Sequence, residues 1–496
     1  MIRIVLTSLL LTGAMPGATC ESLKQFHLPA GTTTLAQVVN AGEFEPPSGD
    51  REGFGRLPAF CRVAATLRPT SDSDIHVEIW LPETGTWNGK YEAAGNGGWA
   101  GSINYNDMAA ALLRGYASSS TDTGHAGGRA SFAMGHPEKL IDFGYRAIHE
   151  TAVTAKSVIA AFYGDGPKLS YFSGCSSGGR QALMEAQRFP NDYDGIIAGA
   201  PTYDWTKMMF GRIWVGQATL TAATGYIDPS QYPMIHQSAL AACDALDGVK
   251  DGVLEDPTRC HFDPAALECK GQAGPACLTK AQVKAARRIY TPATNPRTGE
   301  QIYPGMERGS ELVWGTLAGG PGPIRLAEDH FQYVVFEDPK WDFRTLNFDS
   351  DVTKALQRDH GVLSAVNADL RPFFGHGGKL IHYHGWTDQQ VMPRDSIHYF
   401  KNVVIADGEK TTDSYRLFLV PGMNHCRGGD GPNSFDLLGA LEQWREHGTA
   451  PDSIVASHST DGKVDRTRPL CPYPEVSKYK GTGSTDNAVN FSCAAP

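Results

Sequence analysis

Residues 171–180 read Tyr171-Phe172-Ser173-Gly174-Cys175-Ser176-Ser177-Gly178-Gly179-Arg180. Upstream, residues 168–173 alternate as a short buried strand does. Downstream, Ala182, Leu183, Ala186 and Phe189 recur at helical spacing. Between them lies Gly-x-Ser-x-Gly, the pattern of a sharp strand-to-helix turn that holds a serine hydroxyl at its tip. The glycines have a steric reason: the turn is strained, backbone passes close by, and a Cβ there would clash. The pattern alone is common by chance in a chain rich in Gly and Ser. The strand before it and the helix after it are the context it requires. Ser176 is therefore the candidate nucleophile.

The rest of the chain is read outward from this turn. Toward the N-terminus, residues 75–81, 87–94 and 116–121 have strand character, and residues 141–163 form a helical stripe through Ile148, Ala152, Ala155 and Ile159. The second of these strands runs into Gly95-Asn96-Gly97-Gly98-Trp99-Ala100-Gly101. Hydrolases with such a serine turn place a second oxyanion-binding amide in a loop of this kind, although a turn needing positive φ reads the same way. Toward the C-terminus, residues 194–201 read as a buried parallel strand. From 202 to 373 the alternation of strand and helix is lost. It resumes with strands at 379–385 and 415–420 and a helix at 435–447, and the tail beyond reads as loop. Strands alternating with helices imply α/β, an α/β-hydrolase fold with a large inserted lid domain. The expected boundaries are a signal peptide over 1–18, a first core part over 19–201, a lid over 202–373 and a second core part over 374–496. The lid's aromatics (Trp205, Trp214, Trp314, Phe331, Tyr333, Trp341) are expected over the site, with Trp314 and Phe331 as ring contacts; an ordinary second domain is the competing reading.

Composition narrows the class. The chain has 496 residues and a formal net charge of −10, against a nucleic-acid or anionic-membrane partner. Residues 1–18 carry Arg3, an apolar run and small residues before Thr19, as a secretory signal peptide does, and no later stretch is apolar for long enough to cross a bilayer. Ten cysteines in an exported chain imply disulfides. The absence of any C-x-x-C pair disfavours a zinc cluster. Cys20 and Cys61 bracket the first segment and are expected to pair, as are Cys471 and Cys493 in the tail.

A serine at neutral pH needs a base, and the base needs an acid to fix its tautomer. In the α/β-hydrolase order of Ser, Asp, His, the strand 379–385 ends in Trp386-Thr387-Asp388 and the strand 415–420 in Pro421-Gly422-Met423-Asn424-His425-Cys426. Asp388 and His425 thus follow successive strands at the sheet edge where Ser176 sits. His382 and His384 fall inside a strand, where packing or a core hydrogen bond is expected; His398, His447 and His458 follow no strand directly. Cys175 precedes the nucleophile and Cys426 follows the base. If Ser176 and His425 are in reach, these cysteines fall within the ~5.5 Å Cα spacing of a disulfide, and one bond would fasten nucleophile to base.

The Cys-Ser-x-Gly-Gly at 175–179, the His-Gly-x-x-Asp at 384–388 and His425-Cys426 together resemble the tannase and feruloyl esterase family, which also contains hydrolases of mono(2-hydroxyethyl) terephthalate. The resemblance extends to Arg468-Pro469-Leu470-Cys471-Pro472-Tyr473-Pro474. It implies Ser176 as nucleophile, His425 as general base and acid, Asp388 as orienting acid, and an oxyanion hole from the amides of Ser177 and Gly98 or Gly97. At Ser177 only the amide is expected to act. It also bears on Cys243-Asp244-Ala245-Leu246-Asp247-Gly248-Val249-Lys250-Asp251-Gly252-Val253. By pattern alone this is a solvated acidic turn or a hard-cation loop departing from the EF-hand spacing. The resemblance implies a structural Ca²⁺ on Asp244, Asp247 and Asp251 side chains and the carbonyls of Val249 and Val253, with Cys243–Cys260 and Cys269–Cys277 as local staples. The implied activity is that of a secreted or periplasmic serine esterase on a small aromatic ester, free or attached to plant cell-wall polysaccharide. Feruloyl esters come first, galloyl esters and terephthalate half-esters after; a carboxylate-bearing substrate would call for an arginine from the lid (Arg287, Arg288, Arg325, Arg344). No nucleic acid or membrane partner is expected, and nothing in the residues sets an oligomeric state. A non-catalytic, calcium-stabilised binding protein on the same scaffold is the alternative from a different class.

Overall fold

A computed structural model describes residues 17–496. The expected signal peptide falls outside this range except for Gly17 and Ala18; the Ala18 N–H donates to the Ala161 carbonyl at 2.9 Å. The frame is a ten-stranded sheet built from β1 (His27–Leu28), β2 (Gly31–Val39), β3 (Phe60–Leu67), β4 (Ile75–Pro82), β5 (Lys90–Ala94), β6 (Ala117–Thr121), β7 (Leu169–Cys175), β8 (Gly195–Gly199), β9 (Lys379–Gly385) and β10 (Tyr415–Val420). Their spatial order is β1-β2-β3-β4-β6-β5-β7-β8-β9-β10. The pairs from β1 through β4 to β6 are antiparallel and those from β6 to β10 parallel. This is the α/β-hydrolase fold with an antiparallel extension at one edge.

The parallel strands are short apolar runs because both faces are covered. β8, Gly-Ile-Ile-Ala-Gly, is buried throughout. On one face Phe172, Ile196 and Leu380 pack with Ala152, Ala155 and Val158 of the helix Ala147–Tyr163 and with Ala182, Leu183 and Ala186 of the helix Ser177–Arg188. On the other, Tyr171, Ile197, Ile381 and Phe418 meet Leu437, Leu441 and Trp444 of the helix Leu437–His447. Three layers result, with the loops that follow β5, β7, β9 and β10 gathered at one edge.

Among the described residues, no strand joins this sheet between Gly199 and Lys379. The segment instead holds the helices Trp205–Leu220, Tyr232–Cys243, Lys280–Tyr290 and Ser350–Asp359 around buried Phe210, Ile213, Ile289, Trp314 and Phe331. That core is continuous with Trp99 and Phe143 of the first part. Trp99 stacks edge-on against Trp205 at 4.7 Å and donates its indole N–H to the Leu326 carbonyl at 3.0 Å. Arg180, at the start of the elbow helix, is fully buried. Its guanidinium lies over Phe143 and Trp205 and donates to the carbonyls of Gly144 and Leu363, which locks the inserted segment to the elbow helix.

One expectation needs correction. The tail is not loop: it forms the hairpins Ile454–Thr460 with Lys463–Leu470 and Val476–Tyr479 with Phe491–Ala494, the second clamped by Cys471–Cys493. Residues 31–39 and 60–67 pair as antiparallel strands that extend the sheet beyond β4. The first reads Gly-Thr-Thr-Thr-Leu-Ala-Gln-Val-Val, largely exposed near the sheet edge, so no buried alternation announces it.

Candidate active site

The elbow owes its shape to three backbones in contact. A Cβ on Gly174 would stand 2.6 Å from the Gly178 carbonyl carbon, and one on Gly95 would stand 2.7 Å from the Gly178 Cα. Only glycine at these positions lets the strand, the elbow helix and the glycine-rich loop meet. Ser176 sits at the tip with φ +63°, a left-handed conformation rare for a residue with a side chain.

Asp388 and His425 are brought together as expected from their places after β9 and β10. The buried Asp388 Oδ2 accepts from His425 Nδ1 at 2.7 Å. A carboxylate only accepts, so Nδ1 carries the proton and Nε2 is left as the base. Asp388 Oδ1 accepts from the Gln390 and Val391 N–H groups at 2.7 and 2.9 Å. Burial pushes its carboxyl up, but attraction to the His425 imidazole and hydrogen bonds from His384 and His425 outweigh burial and hold it below the usual carboxylate range. The His425 main-chain N–H donates to Gln389 Oε1 at 3.1 Å.

Cys175 and Cys426 form a disulfide with Cα atoms 6.0 Å apart. Cys426 has φ +66°. Ser176 and His425 line one open cleft of ≈ 940 Å³, together with Gly97, Gly98 and Leu326. Among the described residues the Ser176 hydroxyl makes no hydrogen bond, to His425 or to any other group. The other four cysteine pairs are Cys20–Cys61, Cys243–Cys260, Cys269–Cys277 and Cys471–Cys493.

Ser177 opens the elbow helix, where first-turn N–H groups lack a helical partner. Neither its N–H nor that of Gly98 donates a hydrogen bond to any described residue. The Ser177 hydroxyl, expected to be idle, donates to the Gly98 carbonyl at 2.9 Å and ties the two amides' segments together. Asn96 and Gln181 reinforce the join: the Asn96 N–H donates to Gln181 Oε1 at 3.0 Å, and Gln181 Nε2 donates to Asn96 Oδ1 at 3.1 Å.

His382 and His384 make core hydrogen bonds, one of the two roles expected of them. His384 Nε2 faces two acceptors, Asp388 Oδ2 at 3.1 Å and the Val391 carbonyl at 2.9 Å, so it bears the proton. Its Nδ1 must accept from Ser396 Oγ at 2.6 Å. Ser396 Oγ in turn accepts from His382 Nε2 at 2.8 Å, and His382 Nδ1 accepts from the Tyr415 hydroxyl at 2.7 Å. One polarity satisfies every member of this buried chain, which ends on the carboxylate that orients His425. Burial, with His384 alongside, keeps His382 well below the usual imidazole range.

The aromatic residues expected over the site are elsewhere. Trp314 packs against Tyr232 and Tyr290, and Phe331 against Phe210 and Trp341, both fully buried in the inserted segment. The inserted segment reaches the cleft through Leu326. The rings that line it are Tyr383 and Phe435 from the sheet side, 5.4 Å apart edge to face. None of the four arginines considered from the inserted segment lines the cleft; Arg114 and Arg427 do. Arg114 is paired with Asp436 and Glu442, whereas Arg427 is exposed and forms no ion pair with any described residue. Glu92, on β5, also lines it.

The acidic turn offers a set of oxygen donors. Asp244 is buried and caps the Gly252 N–H at 3.0 Å; Asp247 and Asp251 cap the N–H groups of Val249 and Val253. Asp251 also pairs with Arg468. The carbonyls of Val249 and Val253, both buried residues, accept no hydrogen bond from any described residue. Three carboxylates and two unpaired carbonyls on one turn suit a hard dication.

The profile of the tannase and feruloyl esterase family matches residues 61–494. The chain belongs to the tannase and feruloyl esterase family. With it the chain joins the carboxylic ester hydrolases. An uncharacterized esterase of Xanthomonas campestris pv. campestris is 40% identical, over 98% of this chain and 92% of its own length. A probable feruloyl esterase B-1 of Aspergillus oryzae is 34% identical, over 94% of this chain and 89% of its own. The crystal structure of feruloyl esterase B from Aspergillus oryzae superposes with a TM-score of 0.90 at 33% identity, covering 96% of this chain and 99% of that one. Tannin acyl hydrolase from Aspergillus niger, at 24% identity and a TM-score of 0.80, shares the fold.

Proposed function

We propose that this family member hydrolyses esters of aromatic acids through an acyl-enzyme on Ser176, with feruloyl and related hydroxycinnamoyl esters as the first substrate class. His425 Nε2 takes the hydroxyl proton as Ser176 Oγ attacks the ester carbonyl carbon. The developing oxyanion meets the amides of Ser177 and Gly98. The C–O bond to the leaving group breaks as His425 returns the proton to it, and the alcohol departs. Water then repeats the attack with His425 as base, and the acid leaves. Asp388 keeps the imidazole in the tautomer that this requires. The observation carrying the reading is the His425 Nδ1 to Asp388 Oδ2 bond at 2.7 Å, in an imidazole whose neighbouring residue is disulfide-bonded to the residue before Ser176. Tyr383 and Phe435 in the cleft offer a flat acyl group apolar contact.

The test has two arms. A fluorophosphonate probe should label one site in the wild-type protein and none in Ser176→Ala; a folded wild-type protein left unlabelled would return the chain to the class of non-catalytic binding proteins. A turnover panel of methyl ferulate, methyl gallate and a terephthalate half-ester then sets the substrate class. The half-ester has one observation in its favour, the unpaired Arg427 at the cleft, and an Arg427→Ala loss confined to that substrate would promote it.

The acidic turn is proposed to hold a structural Ca²⁺ through Asp244, Asp247 and Asp251 side chains and the carbonyls of Val249 and Val253. The carboxylates face backbone N–H groups here, so binding requires them to swing inward, with Arg468 released from Asp251. Five disulfides suit an oxidising compartment, which supports a secreted or periplasmic enzyme.

A further inference from the structure

Away from the cleft, His149, Glu185 and Asp192 each offer a ligand atom within 4.8 Å of the others. His149 lies on the helix Ala147–Tyr163, Glu185 near the end of the elbow helix Ser177–Arg188, and Asp192 in the turn that follows it. Glu185 is on the same helix as the nucleophile but two and a half turns farther on, ~13 Å at 1.5 Å per residue, so it takes no part in the ester chemistry.

Glu185 is the unexplained member. The residue is 1% exposed, and no described donor reaches either carboxylate oxygen; the polar group in reach is the Asp192 carboxylate, itself an acceptor, so the two must share a proton or a cation. Buried carboxylates without partners are costly, and a native one has a reason, such as an ion. Its neighbours are arranged for one. His149 Nδ1 stands 2.6 Å from Asp192 Oδ2, and the ring is fixed in plane by stacking on Phe189 at 3.8 Å and 9°. The His149 and Asp192 side chains stay 29% and 16% exposed, which leaves a route from solvent to Glu185. The nearby cation, Lys156, donates to the Asp192 carbonyl and makes no hydrogen bond to Glu185.

We propose that His149 Nδ1, Glu185 and Asp192 bind a zinc-type dication, with water completing the coordination. One imidazole and two carboxylates form a borderline donor set that favours Zn²⁺ over the all-oxygen preference of Ca²⁺ or Mg²⁺. Tetrahedral ligands at ~2.1 Å from the metal lie ~3.4 Å apart, so the His149–Asp192 contact widens by under ~1 Å when the metal replaces the shared proton. The proton displaced from Nδ1 is taken up at Nε2, which keeps the imidazole neutral, and the proton held by Glu185 leaves to solvent. The ion would pin the last turn of the elbow helix to the helix Ala147–Tyr163.

The test uses the full chain, stripped with chelator and then kept in Ca²⁺ so that the acidic turn is held constant. Titration with Zn²⁺ should show one tight equivalent, weakened at least 100-fold in His149→Ala, and should raise Tm in the wild type but not in Glu185→Gln. Both variants should keep esterase turnover near wild type, which shows that they fold. Co²⁺ in the wild type should give visible d–d bands of a tetrahedral nitrogen–oxygen site, a readout that needs no variant. Equal Zn²⁺ binding by wild type and His149→Ala, or a Glu185→Gln protein stabilised without metal and a featureless Co²⁺ spectrum, would overturn the site and leave Glu185 as a buried neutral acid.

Discussion

Removing the Cys175–Cys426 bond separates two things a disulfide can do. The bond spans 251 residues, and in the chain-entropy account its loss destabilises the fold by about 5.5 kcal/mol. Unfolding entropy scales at about 2.1 cal/mol/K per residue, so a chain of 496 residues carries about 1 kcal/mol/K and Tm should fall by only about 5 °C. The effect on catalysis should be larger. Cys426 is held at φ +66° beside His425, a conformation costing of order 1 kcal/mol that persists only where the surroundings impose it. Freed of the bond, residue 426 relaxes and carries the imidazole with it, and a displacement of ~1 Å costs on the order of 10²-fold in rate. The Cys175→Ala/Cys426→Ala double variant, assayed on methyl ferulate at 25 °C, should therefore lose about 10²-fold in kcat while remaining folded. The control is Cys20→Ala/Cys61→Ala. That bond spans 41 residues and ends on β3, with three strands between it and β7. Its removal should lower Tm by about 4 °C and leave kcat unchanged. A 175/426 variant that keeps more than half of the wild-type kcat, or a control that loses activity equally, refutes preorganisation by the staple.

Three further outcomes are expected. Stripping Ca²⁺ with EGTA should lower Tm by about 3 °C if the ion is normally present at about 100 times its Kd, while initial turnover at 25 °C stays within twofold; an unmoved Tm after verified metal loss would reduce the acidic turn to a turn. Ser396→Ala removes the hydroxyl that holds His384 Nδ1 and so loosens the ring whose Nε2 donates to Asp388: kcat should drop about tenfold with KM unchanged, and an unchanged kcat would make the chain mere packing. Glu92 has its pKa pushed up to about 8 by burial and then by Asp107. It is protonated in the fold and ionised in the unfolded chain, so its contribution to stability is full below pH 4.5 and is lost as pH rises toward 8; chemical denaturation across that window should show a flatter slope in Glu92→Gln.

The elbow and the meeting of Asp388 with His425 could be read from the residues because backbone sterics and chain order constrain them. Only glycine fits where Gly95, Gly174 and Gly178 meet, and residues that end successive parallel strands must gather at one edge. The staple was legible for the same reason, since a cysteine beside each of two adjoining residues has almost nowhere else to go. Orientation was not legible. A buried ring in the inserted core and a ring facing the cleft have the same sequence signal, so the pattern does not separate Trp314 and Phe331, which are buried, from Tyr383 and Phe435, which line the cleft. Polar partners that meet only through the fold, such as Asn96 with Gln181 or His384 with Ser396, leave no local pattern. The same limit hid Ser177, whose amide alone was expected to matter. Its hydroxyl fastens the Gly98 carbonyl, just as the thiol two residues earlier fastens the residue after His425. Ser176 is thus flanked by two attachments, one covalent and one hydrogen-bonded. They reach the base on one side and the glycine-rich loop on the other, so the three parts of the site cannot drift independently. The position of Ser176 is set by these neighbours and by its own left-handed backbone rather than by its hydroxyl, which makes no hydrogen bond to any described residue.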